Sequence, residues 1–501
     1  MAHLITITAS NGREIEFYDE VKAKGGMKDV YFSPDKNYVV AFYRSGADAG
    51  LKDRLEAITN LYRDRIFNQA GGEYWQSIFC WPEAVVEYKG RIGIVVPFYG
   101  DDFFFKFGSK NNDMLELAGK EKESKWFTSP SNRSRFLDAR ETGTWMHQIK
   151  VCLTVARAVR RLHSAGLAHS DLSYKNILSD PSTGKACLID LDGLVVPGKY
   201  PPEVVGTPDF IAPECVMTAH LDRKDPQRKL PSISTDEHAL AIFIYMYLLL
   251  RHPLRGDKVH NVDDPQRDDE TAMGAGALFI ESANDHSNTL KIENVKAAEL
   301  PWKNLSALPY TITGPYLSVL YEQAFVDGLH APAKRPTADE WERALIKTVD
   351  LLYPCTNEKC DQKWFVFDNS TKPACPFCKT PIKGKLPLLN LYSCIHTQGN
   401  YEAEQHRLMV YKNQSLFKWH TNRHLVPNEK LSAAQKRRVG YFIFHGDEWL
   451  FVNEDLPDLY DVINKIQIPV GGNVKLIDGL QLLTSREHDG RLFIVQMIDA
   501  V

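Results

Sequence analysis

The stretch HSDLSYKNIL, His169 to Leu178, is followed by CLIDLDG, Cys187 to Gly193. Together they place an acid, Asp171, at one end of a loop, an amide, Asn176, five residues on, and further acid after the next apolar run. Carboxylate and amide oxygens suit a hard cation such as magnesium, and such a trio can converge on a metal-bound nucleotide. Taken singly, Asp and Asn are more often turn or cap residues. A second group has softer chemistry. CTNEKC and CPFC set Cys355, Cys360, Cys375 and Cys378 at C-x4-C and C-x2-C spacing with fourteen residues between the pairs. Four thiolates on two tight turns form the tetrahedral donor set that zinc prefers, and with all four positions taken by protein the site would be structural. Four buried free thiols are the plain alternative.

The acid and amide loop belongs to an ordered series. GTPDFIAPE follows at 206–214, Asp236 opens an apolar helical pattern, and KRPTADEW at 334–341 brings Arg335. On these motifs the chain resembles the protein kinase superfamily, whose catalytic loop H-R-D-L-K-x-x-N maps onto His169, Ser170, Asp171, Leu172, Ser173 and Asn176. The resemblance implies that Asp171 accepts or orients the hydroxyl proton of the substrate, that Asn176 and Asp190 hold magnesium, and that Arg335 pairs with Glu214. Asp190 directly follows the apolar run CLI, as the family pattern requires; Asp192 is the alternative. The A-P-E platform and Thr207 favour a serine/threonine kinase acting on a protein over a small-molecule kinase. Ser170 stands where many such enzymes carry the arginine that binds an activation-loop phosphate, and Ser173 replaces a lysine.

The elements that must position these groups begin with residues 12–99, where strand-like runs flank one helical run, LKDRLEAITNLYRDRIF, and EYKGRI reads as a hairpin turn. This predicts the β-rich small lobe. GGMKDVYFSPDKNYVVAFYR, 25–44, would be its phosphate-covering hairpin, with Gly25 and Gly26 at the turn, yet Tyr43 stands near where the family carries lysine. Arg44 is adjacent, but the period of two along a strand sends it to the opposite face. Lys28, leaving the glycine turn, resembles the displaced lysine of the "with no lysine" kinases; a solvated turn lysine is the alternative. Glu56, the only acid amid the apolar positions of DRLEAITNLY, is the expected partner of Lys28, or else of a nearby arginine on the helix surface. Ala41, Val96 and Phe98 are expected against the nucleotide.

Residues 100–350 read as the larger, helical lobe, with 101–140 as an exposed polar insertion; 351–384 read as a zinc ribbon. Residues 385–501 carry six short apolar runs, from RLMVYK to RLFIVQMI, and read as an all-β sandwich resembling a degenerate forkhead-associated domain, with Ser432, Arg437 and Arg438 on a basic loop. The expected fold class is α+β: a bilobal protein-kinase fold followed by a zinc ribbon and a β-sandwich. That order resembles bacterial kinases of the tellurite-resistance-associated phosphorylation systems. The resemblance implies ATP, Mg2+ and Zn2+ as cofactors, a protein substrate, and a von Willebrand A-type protein and a 2C-type phosphatase as partners. A pseudokinase scaffold is the alternative, motivated by the irregular glycine turn, the absent strand lysine and Ser170.

Composition is compatible with this reading. A chain of 501 residues suggests roughly two to four domains. A formal charge of -4, with 44% hydrophobic and 25% charged residues, supplies no basic excess for nucleic acid or an anionic membrane. The N-terminal stretch has no secretory-signal pattern, and the apolar run ALAIFIYMYLLL, 239–250, is short for a bilayer crossing. Soluble, cytoplasmic behaviour is the expectation.

Overall fold

The computed structural model describes residues 3–24, 27–44, 49–196, 198–202, 206–296, 308–367, 372–394 and 399–500; Gly25 and Gly26 of the expected glycine turn lie outside them. The chain divides into two compact units. The first comprises Met1–Gly143, Lys150–Leu305 and Leu320–Glu342, and the second Thr144–Ile149, Ser306–Val319 and Arg343–Val501.

In the first unit, β1 (Leu4–Thr8) and β2 (Glu14–Tyr18) form a hairpin, so strand structure begins ahead of residue 12. A five-stranded antiparallel sheet follows, built from β3 (Ala23–Lys24), β4 (Lys28–Phe32), β5 (Tyr38–Tyr43), β6 (Ala84–Tyr88) and β7 (Arg91–Pro97) in the order β3-β4-β5-β7-β6. Alternation along β5 sorts its side chains. Val40 and Phe42 pack with Phe17 of the hairpin, whereas Ala41 and Tyr43 pack with Leu51 and Leu55 of α1 (Ala49–Ala57). Burying each large side chain contributes about 1.5–3 kcal/mol, which holds the sheet between hairpin and helix. The turn joining β6 to β7 places Lys89 and Gly90 at φ 50° and 72°, the two consecutive left-handed residues that a tight hairpin needs. Beyond α1 the chain continues through a wide π turn, Ile58–Tyr62, into Arg63–Phe67. Leu61, an apolar residue of the run LKDRLEAITNLYRDRIF, is exposed.

The remainder of this unit is mainly helical. The helix Ile233–Leu249 opens on a capping box at Ser232 and is buried almost all round, as a core helix should be. No helix among the described residues is long and apolar enough to cross a membrane. The insertion at 101–140 is not the exposed loop that its polarity suggested. Phe103, Phe105, Leu117, Phe127 and Leu137 are buried, and Lys122 is enclosed with Glu141 and Asp180, its ammonium 2.9 Å from each carboxylate. A buried ammonium needs such partners, and the three charges tie the insertion to β8 (Ile177–Asp180), which pairs with β9 (Lys185–Leu188).

In the second unit, β10 (Leu352–Pro354) and β11 (Trp364–Val366) form a small hairpin. Ten strands follow: β12 (Gly384–Cys394), β13 (Tyr401–Met409), β14 (Ser415–Phe417), β15 (Arg438–His445), β16 (Glu448–Asn453), β17 (Tyr460–Asp461), β18 (Ile466–Gln467), β19 (Asn473–Lys475), β20 (Gln481–Leu483) and β21 (Arg491–Ala500). They form a six-stranded sheet, β13-β12-β21-β20-β17-β18, and a four-stranded sheet, β14-β15-β16-β19. Leu389, Leu408 and Val495 of the first sheet share one core with Leu416, Phe442 and Phe451 of the second. The long strand β12 had no clean alternating signal and carries Pro387. That proline sits one residue before the pairing of β12 with β13 begins, at Leu388. Buried Asp350 bridges His406 and His420, with Nε2 to carboxylate distances of 2.6 and 3.2 Å.

Candidate active site

The loop from His169 to Asn176 is held from below by one buried carboxylate. Asp236, in the first turn of the helix Ile233–Leu249, accepts the backbone N–H groups of His169 at 2.6 Å and Ser170 at 3.1 Å. These bonds sustain Ser170 at φ 69°, a left-handed conformation that an ordinary residue adopts only when its surroundings impose it. The next residue, Asp171, is then fixed through both oxygens. Thr207 Oγ1 donates to Oδ1 at 2.9 Å and Asn176 Nδ2 donates to Oδ2 at 2.9 Å. Asn176 Nδ2 also donates to the Asp171 carbonyl at 2.8 Å, which leaves the amide oxygen of Asn176 for another partner. Thr207 Oγ1 further contacts Ser173 Oγ at 3.2 Å, which ties the loop position where the family carries lysine to the same threonine.

Lys28 meets these groups from the sheet. In the antiparallel pairing of β4 with β5, Lys28 stands directly opposite Tyr43, so their side chains share a face. An ammonium from β4 thereby reaches the region that a lysine at 43 on β5 would serve. Its Nζ donates to Asp190 Oδ1 at 2.8 Å and to both oxygens of Asp192 at 2.8 and 2.7 Å. The Tyr43 hydroxyl donates to Asp192 Oδ2. Burial alone would push Lys28 down, but the charges of Asp192 and Asp190 outweigh it and hold the ammonium above the ordinary lysine range. Burial would likewise push Asp192 up; the Lys28 charge and the hydrogen bonds from Lys28 and Tyr43 hold it below the usual carboxylate range.

The two acids differ in surroundings. The Asp192 side chain is 4% exposed beneath Lys28, whereas that of Asp190 is 51% exposed and sits at φ 61° at the end of the run CLI. Asp190 and the free oxygen of Asn176 are the hard donors that fit magnesium. Glu56, by contrast, is not brought to Lys28; it lies half-buried on α1, where its backbone carbonyl accepts from Asn60 Nδ2 at 2.8 Å. Arg44 turns to the other side and pairs with Asp29 at 2.8 Å. The roles of Tyr43 and of the Asp236 carboxylate are visible only in the folded structure. The signal for the first was a tyrosine at the position of the missing lysine.

An apolar wall adjoins these charges. Ala41, with Val30 opposite it across the strands, packs in the same cluster as Val96, and Val96 and Ile189 both pack against a second cluster that contains Leu178. Phe98 meets Phe32 edge to face, with ring centroids 5.7 Å apart. Further along, Arg335 pairs with both oxygens of Glu214 at 2.7 Å and donates to the carbonyls of Gly328 and Ser234. The Arg335 side chain is 1% exposed. Arg335→Ala is expected to cost the first unit about 3–5 kcal/mol, because it strands a half-buried carboxylate. Urea unfolding measures this, and a change below about 1 kcal/mol would contradict it.

In the second unit the four cysteines of the C-x4-C and C-x2-C pairs come together. Cys355 follows β10 directly, and Cys360 lies in the turn before β11. Cys375 and Cys378 occupy a second turn closed by the Cys375 N–H bond to Thr380 O at 2.9 Å. The Sγ atoms all lie within 4.8 Å of one another, with Cys355–Cys378 at 3.5 Å and Cys360–Cys375 at 3.8 Å. The edge of a tetrahedron with metal–sulfur bonds of about 2.3 Å is about 3.8 Å, so the donor set fits zinc. Elsewhere in this unit, Arg438 is engaged bidentately by Glu454 at 2.6 Å, which neutralises one cation of the basic loop.

Residues 116–305 match the protein kinase domain family. The chain is 30% identical over 133 residues to a dual serine/threonine and tyrosine protein kinase of Apis mellifera, a match covering 26% of this chain and 12% of that protein. It is 31% identical over 138 residues to the serine/threonine-protein kinase PknD of Chlamydia abortus, covering 22% and 13% respectively. A third similarity, 32% over 124 residues, is to the death-associated protein kinase dapk-1 of Caenorhabditis elegans, covering 24% and 8%. The chain therefore spans only a small part of the length of the curated relatives it matches. A protein kinase domain is present in it.

Proposed function

We propose that this chain is an ATP-dependent serine/threonine protein kinase that transfers the γ-phosphoryl group to a partner protein, with Lys28 as its phosphate-binding cation. The observation that carries the reading is the meeting of Lys28 with Asp190 and Asp192 in a kinase domain that also holds Asp171 and Asn176 in direct contact. Thr207 and Asn176 fix both Asp171 oxygens, which aims the carboxylate to accept the proton of a substrate serine or threonine hydroxyl. That oxygen bonds to the γ-phosphorus as the bond to the bridging oxygen breaks, and ADP leaves with the electron pair. Lys28 would neutralise phosphate charge, and Ala41, Val96 and Phe98 would receive the adenine. Magnesium, held by Asn176 and Asp190, would supply charge stabilisation between the phosphates.

The cysteine cluster supports a zinc ribbon, and the two sheets beyond it support a sandwich of the degenerate forkhead-associated kind. Cytoplasmic action beside a von Willebrand A-type protein and a 2C-type phosphatase rests on family resemblance. Incubation with labelled ATP, magnesium and such candidate proteins tests the reading. Asp171→Ala is expected to lower transfer by about 10²–10⁴-fold, the usual contribution of a positioned general base. Equal labelling by wild type and Asp171→Ala, or nucleotide binding by wild type without any transfer, would instead favour a pseudokinase scaffold.

A further inference from the structure

We propose that Asp192, braced by Tyr43, is the carboxylate that positions Lys28 for nucleotide, a task that the sequence assigned to Glu56 of α1. This rests on the kinase reading and deepens it. Three observations carry the inference. Asp192 accepts the Lys28 ammonium through both oxygens, at 2.8 and 2.7 Å, while Asp190 accepts through one. Asp192 is nearly enclosed, so its geometry is set by packing, and the Tyr43 hydroxyl donates to one of the same oxygens. Tyr43 itself is 3% exposed, anchored in the cluster of Ala41, Leu51, Leu55 and Ile94, and stands opposite Lys28 across the strands.

The two acids of the DLD segment thereby divide the labour that the resemblance assigned to a metal-binding aspartate and a helix glutamate. Asp190, half-exposed at the cleft, is left to the metal, and Asp192 holds the lysine. A lysine anchored by a helix glutamate depends on where that helix sits, whereas this anchor comes from the segment that also carries the metal-binding acid. Movement of α1 would therefore reach Lys28 only through the packing of Tyr43 on Leu51 and Leu55, not through an ion pair carried by the helix.

A double-mutant cycle on the full chain tests this through MgATP dissociation constants from calorimetry, alongside phosphoryl transfer. Asp192→Asn is expected to weaken MgATP binding about tenfold in the wild-type background and less than about twofold in a Lys28→Ala background, since a residue acting through Lys28 has nothing to position once Lys28 is gone. Tyr43→Phe, which keeps the packed ring, should show the same dependence on Lys28 at a smaller scale, and Asp192→Glu should restore part of the loss. Glu56→Gln should bind MgATP within about twofold of wild type. Equal losses from Asp192→Asn with and without Lys28, or a larger loss from Glu56→Gln than from Asp192→Asn, would overturn the assignment. Should Asp192→Asn fail to fold by its thermal transition, the Tyr43→Phe cycle decides the matter by the same criterion. Wild-type protein that binds MgATP but transfers nothing overturns the kinase reading alone; wild-type protein that does not bind it overturns both.

Discussion

A Lys28→Ala protein is expected to lose ATP-dependent phosphoryl transfer by at least about 10²–10³-fold, the scale on which removal of one preorganised charge-stabilising donor acts, while Arg44→Ala retains most of it. The two cations lie sixteen residues apart in a strand-turn-strand unit, and composition does not choose between them. Geometry does. Lys28 faces Tyr43 and reaches Asp190 and Asp192, whereas Arg44 is held at Asp29 on the other side of the sheet. Removing Lys28 leaves Asp192 enclosed without its counter-charge, so nucleotide affinity and charge stabilisation fall together. Initial rates with labelled ATP check the expectation, with thermal unfolding run in parallel to separate lost chemistry from lost folding. The opposite pattern, an active Lys28→Ala and a dead Arg44→Ala, would move the phosphate site to the strand end.

Zinc removal should act on the second unit with comparable force. The segment from β10 to the second cysteine turn contains two short strands of three residues each, too little apolar surface to order itself. Apparent zinc-binding free energies of about 10–16 kcal/mol in small thiolate domains are folding free energy, because the site does not pre-exist in the unfolded chain. Purified protein is therefore expected to carry one zinc ion that is lost in Cys360→Ser. Chelation should open the segment between Leu352 and Ile382 to proteolysis, and zinc should close it again. An unchanged digestion pattern, or metal-free wild-type protein of equal stability, would refute the ribbon.

Much of this protein was legible before its folding. The ordered series HSDLSYKN, IDLD, GTPDFIAPE and KRPT is carried by short stretches, so Asp171 and Asn176 could be brought together from spacing, whereas the pairing of Arg335 with Glu214 was implied by the family resemblance. The cysteine turns read as clearly, because each pair is a short-range object. The insertion at 101–140 did not, since polarity hides a buried ion trio: Lys122 looks like any surface lysine until Glu141 and Asp180 enclose it. Strand β12 was hidden for a related reason. It lies between two partner strands and is buried along most of its length, which erases the alternation that marks a half-exposed strand.

By itself the order of residues along the chain determined the chemical inventory: which acids, amide, cation and thiols are present, and the turns and strands that carry them. Tertiary structure alone decided which carboxylate meets the ammonium. Lys28 and Asp192 are separated by 164 residues, and no periodicity extends that far. Glu56 had the better position by local pattern, yet a buried lysine takes the carboxylates that packing presents to it, and here the segment after β9 presents two while α1 presents none.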